Sequence, residues 1–156
     1  MTVAARTVVP PRIRPVNVDD LLDITRLERE CFDEPWSFTA FESHVDAVGF
    51  LVAIVDGRLV GYVVGSVHAG FPGPYGHIKD LAVHPAYRRR GIAKYLLTES
   101  LDRLATHGAG RAILEVRASN DAAKSLYRSV DFQPTRRRPG YYADGETAVV
   151  MARSLR

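Results

Sequence analysis

The sequence has one cysteine, Cys31, in 156 residues, so no disulfide can form within the chain and a disulfide-framed fold is excluded. A single thiol suits a reducing compartment, and a cytoplasmic location is the expectation. No apolar run approaches the roughly 20 residues that span a bilayer. The first dozen residues, with Arg6, Pro10, Pro11 and Arg12, lack the apolar core of a signal peptide. Gly/Ser linkers, low-complexity stretches and internal repeats are absent, which argues for one domain over residues 1–156. Residues 1–11 read as a flexible N-terminal segment. Charge of one sign is also scarce: 21 Lys and Arg against 18 Asp and Glu leave +3, too mild a balance to argue for nucleic acid.

What is present is an ordinary globular composition, 46% hydrophobic and 25% charged, long enough to bury a core without staples. "RIRPV" reads as a short strand. "NVDDLLDITRLERECF" reads as a helix capped by Asn17, with Leu21, Leu22, Ile24, Leu27 and Phe32 at helical spacing. Pro35 interrupts it, and Ser37 caps a second short helix carrying Phe38, Phe41 and His44. "FLVAIVDGRLVGYVVGSV" is a β-hairpin turned by Asp56-Gly57. The strand "HIKDLAV" comes next, then a helix from Gly91 to about His107, the strand "RAILEVR", the helix "SNDAAKSLYRSV", and two last strands in "DFQPTRRR" and "ETAVVMARSL". Hairpins first, then β-α-β-α, then β-β make the fold class α/β with a mixed sheet.

Arginines cluster at Arg88 to Arg90 and at Arg136 to Arg138. The first cluster sits between a strand and a helix. A helix N-terminus leaves amides without intrahelical partners and carries partial positive charge. Gly91 and Ala93 keep side chains out of the way, so an anion can approach the backbone. No Gly-Lys-Ser/Thr is present there, so this is not a Walker loop, and three spaced glycines for a dinucleotide fingerprint are missing. On charge alone, a pyrophosphate cradle and a solvated basic turn both fit. A second anomaly is Glu115, a carboxylate in the middle of an otherwise apolar strand. It is costly there unless it is wet, paired with Arg117 or Lys79, or functional. Partial burial is expected to raise its pKa, the direction a general base needs. Cys31 lies on the apolar side of the first helix and reads as a core thiol, and His84 before Pro85 reads as a turn residue.

Arg88-x-x-Gly91-x-Ala93 at a strand–helix junction resembles the acetyl-CoA signature of the GNAT acetyltransferases. "LEVRASNDAAKSLYRSVDF" resembles RimI-type and archaeal protein N-α-acetyltransferases, and "GYYADGE" resembles the archaeal members. The likeness runs from about Arg12 to the C-terminus. It implies the GNAT fold, a mixed central sheet of about seven strands flanked by about four helices, and acetyl-CoA as cosubstrate with no metal. It further implies that the amides of Leu81, Ala82 and Val83 hold the pantetheine arm. Arg89, Arg90, Gly91, Ile92, Ala93 and Lys94 would hold the pyrophosphate, with Arg88 also in the cofactor-binding set and Asn120 and Tyr127 at the thiol end. By the same resemblance Glu115 is the general base, Tyr127 the general acid and His77 a partner of the glutamate through water. The acceptor would meet Glu34, Pro35, Tyr141 and Tyr142. The implied reaction is direct acetyl transfer, without an acyl-enzyme, to the N-terminal α-amine of proteins or peptides, ribosomal proteins among them. No nucleic acid or membrane partner is expected, and the chain would be a monomer or weak dimer. Two rivals remain: a GNAT enzyme for small amines or lysine side chains, and an RNA-binding module using both arginine clusters. Aromatics interleaved with the arginines would mark the latter, and only Tyr87 adjoins the first cluster.

Overall fold

A computed structural model of the chain describes residues 10–156. The N-terminal segment expected over residues 1–11 therefore lies almost wholly outside the described residues. Seven strands form one sheet in the order β1-β2-β3-β4-β5-β7-β6. They are β1 (Arg12–Pro15), β2 (Leu51–Val55), β3 (Arg58–His68), β4 (Tyr75–Val83), β5 (Arg111–Arg117), β6 (Gln133–Arg138) and β7 (Ala148–Ser154). Four α-helices accompany them among the described residues: α1 (Leu21–Cys31), α2 (Phe38–Glu42), α3 (Ile92–Thr106) and α4 (Asp121–Ser129). No helix of the described residues is long and apolar enough to cross a membrane.

Local chemistry explains most boundaries. Asn17 caps a 3-10 turn, Val18–Asp20, that leads into α1, and Asp20 returns the bond to the Asn17 amide. Leu21, Ile24 and Leu27 are buried, whereas Leu22 and Phe32, expected on the same apolar stripe, are exposed because they fall outside its arc. Ser37 caps α2 through the Ala40 amide, 3.2 Å away. Asp56 and Gly57 both take positive φ, 50° and 76°, the conformation of the tightest hairpin turn.

The sheet separates two apolar layers. Ile78, Val83, Leu96, Leu97, Leu101, Leu104, Leu114 and Met151 pack under α3, with Ala123 and Tyr127 of α4 against them. Leu21, Ile24, Phe41, Phe50, Tyr62 and Ala82 pack under α1 and α2. At Gly65 helix α3 comes so close that a Cβ would lie 2.5 Å from Ser100 Oγ. Truncating any of the buried leucines to alanine should cost about 2–5 kcal/mol.

Two irregularities in β4 shape the middle of the sheet. Its ladder with β3 slips between Asp80 and Ile78, leaving Lys79 as a bulge. That bulge puts His77, Asp80 and Ala82 on the α1/α2 face, where strict alternation would have separated them. The parallel pairing of β4 with β5 holds only at Gly76–Ala112 and His77–Ile113. Beyond that point the two strands part.

Candidate active site

The parting of β4 and β5 opens a cavity of about 640 Å³. Among the predicted site residues, Glu34, Leu81, Glu115, Asn120, Tyr127 and Tyr142 line it. Ala82, Val83, Pro35, Tyr141 and the Arg88–Lys94 segment do not. His77 is not part of the lining but contacts Glu115, which is. The walls carry seven carboxyls but only two cations, Lys79 and Arg117, so the opening favours a positively charged visitor.

On the α1/α2 face, His77 Nε2 lies 2.7 Å from Glu115 Oε2. This hydrogen bond holds the Glu115 carboxyl below its usual range, with burial opposing and losing. The expectation of a raised pKa is therefore reversed, because it weighs burial alone and leaves out the imidazole. The alternative partners of Glu115 are engaged elsewhere. Lys79 Nζ sits 3.4 Å from His44 Nε2. Arg117 bonds Asp144 at 2.8 Å and Glu146 at 3.0 Å, approaches Glu34 at 3.7 Å and stacks 4.1 Å from the Tyr142 ring centroid. Arg117 thus ties the loop after α1 to the loop before β7. Tyr141 meets Tyr142 edge-on at 5.0 Å and is covered by Arg138 at 4.9 Å. Burial, chiefly, pushes the Tyr142 phenol up to about 12.

A second carboxyl pair lies outside the sequence-based expectations. Glu28, 2% exposed, accepts the hydroxyl of buried Tyr62 and meets Asp80 across the cavity floor. Asp80 Oδ1 accepts the Leu81 N–H at 2.9 Å, while Oδ2 is the one buried polar side-chain atom among the described residues without a donor. Two carboxyls in contact are satisfied only by sharing a proton. Burial first, then Glu28, drives the Asp80 carboxyl well above the usual range. Glu28 carries a readable signal, an acid one turn beyond Ile24 on a buried stripe. Asp80 carries the same signal as Glu115, but its inward aim depends on the Lys79 bulge.

The α3/α4 side is built from backbone. Gly91 takes φ +76° at the N-cap of α3 with no side-chain cap on the helix, and a Cβ there would meet nothing within 4 Å. Glycine is needed for the conformation, and the first-turn amides stay open to an anion. Arg89 and Arg90 are exposed beside them, with Arg90 over the Tyr87 ring at 4.9 Å. Arg88 does not join them: its Nε donates to Val83 O at 3.1 Å and its Nη2 approaches Cys31 Sγ at 3.6 Å. Asn120 caps α4 through the Ala123 amide at 3.1 Å, leaving its NH₂ for the cavity it lines. Tyr127 packs edge-on against Phe132, and burial pushes its phenol up. Cys31 is half-buried on the cavity wall rather than in the core. Burial raises its thiol too, which makes it a poor nucleophile. His84 is the turn residue expected, accepting the Ala86 amide at 3.1 Å.

The chain is similar to proteins of one family. The Acetyltransferase (GNAT) family pattern matches residues 20–132. An N-alpha-acetyltransferase of Saccharolobus solfataricus is 36% identical over 92% of this chain and 92% of its own length. The N-alpha-acetyltransferase RimI of Mycobacterium tuberculosis is 39% identical over 81% of this chain and 82% of its own. The crystal structure of the ribosomal-protein-S18-alanine N-acetyltransferase of Escherichia coli superposes with a TM-score of 0.80 at 29% identity, covering 93% of this chain and 94% of that one.

Proposed function

The chain belongs to the acetyltransferase (GNAT) family, and from that premise we propose that it transfers the acetyl group of acetyl-CoA to the N-terminal α-amine of a protein. The observation that carries this reading is the parting of β4 and β5. It sets an acid-rich pocket against the open edge of β4, the strand that runs on through the turn to the uncapped N-terminus of α3. An acceptor amine can enter from one side and an acyl donor from the other, meeting at Leu81. The kinship with N-alpha-acetyltransferases supports a peptide N-terminus as the acceptor, with ribosomal proteins within that class.

The acceptor arrives mostly as an ammonium near neutral pH, since an α-amine titrates at about 7.7–8.0. The carboxyl-lined walls draw it in. Glu115 stays ionised and acts with His77: Nε2–H is held by Glu115 Oε2, so the other ring nitrogen receives the proton relayed through water, and the carboxylate stabilises the imidazolium. The Leu81 N–H polarises the thioester carbonyl. Tyr127, neutral throughout, donates its hydroxyl to the departing sulfur. The first-turn amides of α3, with Arg89, Arg90 and Lys94, hold the pyrophosphate. Transfer is direct, and the raised thiol of Cys31 supports that. Incubating the chain with acetyl-CoA and a peptide library, with mass spectrometry to locate each acetyl group, should give acetylation at the α-amine. Acetylation confined to lysine Nζ would overturn this reading.

A further inference from the structure

Conversion of an ammonium to an amide removes two protons from nitrogen. The first must leave before attack, and the His77–Glu115 pair takes it. The second becomes acidic only once the C–N bond has formed, on a nitrogen attached to the reacting carbon. The group that receives it must therefore stand beside that carbon. Asp80 does: its Oδ1 is 2.9 Å from the Leu81 nitrogen, the donor assigned to the acyl oxygen.

We propose that Asp80, backed by Glu28, is a further catalytic residue of the acetyl transfer: it occupies the Leu81 N–H in the free site, yields it to the thioester carbonyl, and takes the second proton from the acceptor nitrogen. This rests on the acetyl-transfer reading. Its driving force is a single hydrogen bond. A backbone donor favours the ionised carboxylate, and removing that donor raises the proton affinity of Asp80 at the step that needs a base. No cation offsets the change. The ionisable groups around the pair are Glu28 and Cys31 of α1, Tyr62 of β3, Tyr127 of α4 and Lys79 of β4, and Lys79 is turned toward His44. Buried Tyr62 keeps its proton and holds Glu28 in place.

Every proton and electron pair has a destination. The C–N bond forms as the carbonyl π pair moves to oxygen. Asp80 receives the second nitrogen proton, the oxygen pair returns, and the C–S bond breaks with its electrons on sulfur. The sulfur receives the proton from Asp80, relayed through the Tyr127 hydroxyl so that the phenol stays neutral. The first proton leaves to solvent from His77.

Isothermal calorimetry on the full chain tests this apart from turnover. Acetyl-CoA and CoA are titrated between about pH 5.5 and 7.5 in two buffers of different ionisation heat, which reports protons taken up. Acetyl-CoA should draw protons from the buffer at the acid end of this range only, since Asp80 must still be ionised where the acceptor amine titrates. CoA, lacking the carbonyl, should draw none. Asp80→Asn keeps the shape and an acceptor for the Leu81 N–H. It should abolish the uptake, lower kcat with an α-amine peptide about 100-fold and leave acetyl-CoA affinity within a few-fold. Glu28→Gln, with Asp80 intact, should move the uptake to lower pH. Equal uptake for both ligands, or an Asp80→Asn enzyme with full kcat, would sink the assignment of Asp80 while leaving the acetyltransferase reading standing. A chain that bound no acetyl-CoA would bring down both.

Discussion

Glu115 on β5 and Asp80 on β4 face the same opening, are both largely buried, and are driven in opposite directions. Glu115 meets an imidazole and is held low; Asp80 is held high by burial first and by another carboxyl second. Burial raises a carboxyl in both cases and is the main cause at Asp80; the neighbour decides whether burial is reinforced, as by Glu28, or overruled, as by His77. The difference suits two jobs: a fixed anion that keeps a histidine ready, and a titrating pair that can take up a proton beside the reacting carbon.

The largest expected effect breaks the first half of that contrast. Glu115→Gln should lower kcat about 1,000-fold, within the range general-base groups supply, because a neutral amide cannot stabilise the imidazolium. His77→Ala should cost a similar factor. The double variant should be little worse than either single one, since the two act as a unit. Steady-state rates of the three proteins check this, and full additivity would separate the residues. Next comes Tyr127→Phe, expected to reduce kcat about 10-fold. A thiol titrates near 8.5, so a phenol pushed above 10 gives sulfur a hydrogen bond more readily than a free proton. Smaller still, Arg117→Ala should raise the peptide KM several-fold and leave kcat near its original value. It unties Glu34 from Asp144 and Glu146 without touching either carboxyl pair. A fall in kcat alone would place Arg117 in the chemistry instead.

The contrast also shows how far the sequence can be read. The hairpin at Asp56-Gly57, the helix opening at Gly91 and the anomaly of Glu115 are local signals, each confined to a few residues, and each stands in the structure where the pattern predicts. The partner of Glu115 is named by a family likeness, yet the direction of its pKa comes out wrong when burial is weighed without the hydrogen bond. Asp80 is hidden for a different reason. Alternation along "HIKDLAV" puts it on the opposite face from His77, and the bulge at Lys79 reverses that. Its partner Glu28 lies far back in the chain, on another element. Arg88 shows the same limit: a motif fixes its place at the turn, but its guanidinium turns to the carbonyl of Val83.

The smallest effect sharpens the comparison most, because it separates the two acids by sign. Glu115 has a folded pKa below its unfolded value. Its contribution to stability is present above the unfolded value, about 4.3, and is lost as pH falls through the lowered one. Asp80 has a folded pKa above its unfolded value, about 3.9. Its contribution is intact below that value and is lost as pH rises through the raised one. At pH 7, Glu115→Gln should therefore melt below the parent and Asp80→Asn above it. Each shift should be a few degrees, the scale on which about 1 kcal/mol moves a domain of this size. In thermal melts read by circular dichroism, the Asp80→Asn gap should close as the pH is lowered toward about 4. The Glu115→Gln gap should persist to that point and close only below it. If both variants shifted the same way at pH 7, packing rather than charge would set the difference, and the opposition between the two carboxyls would fail.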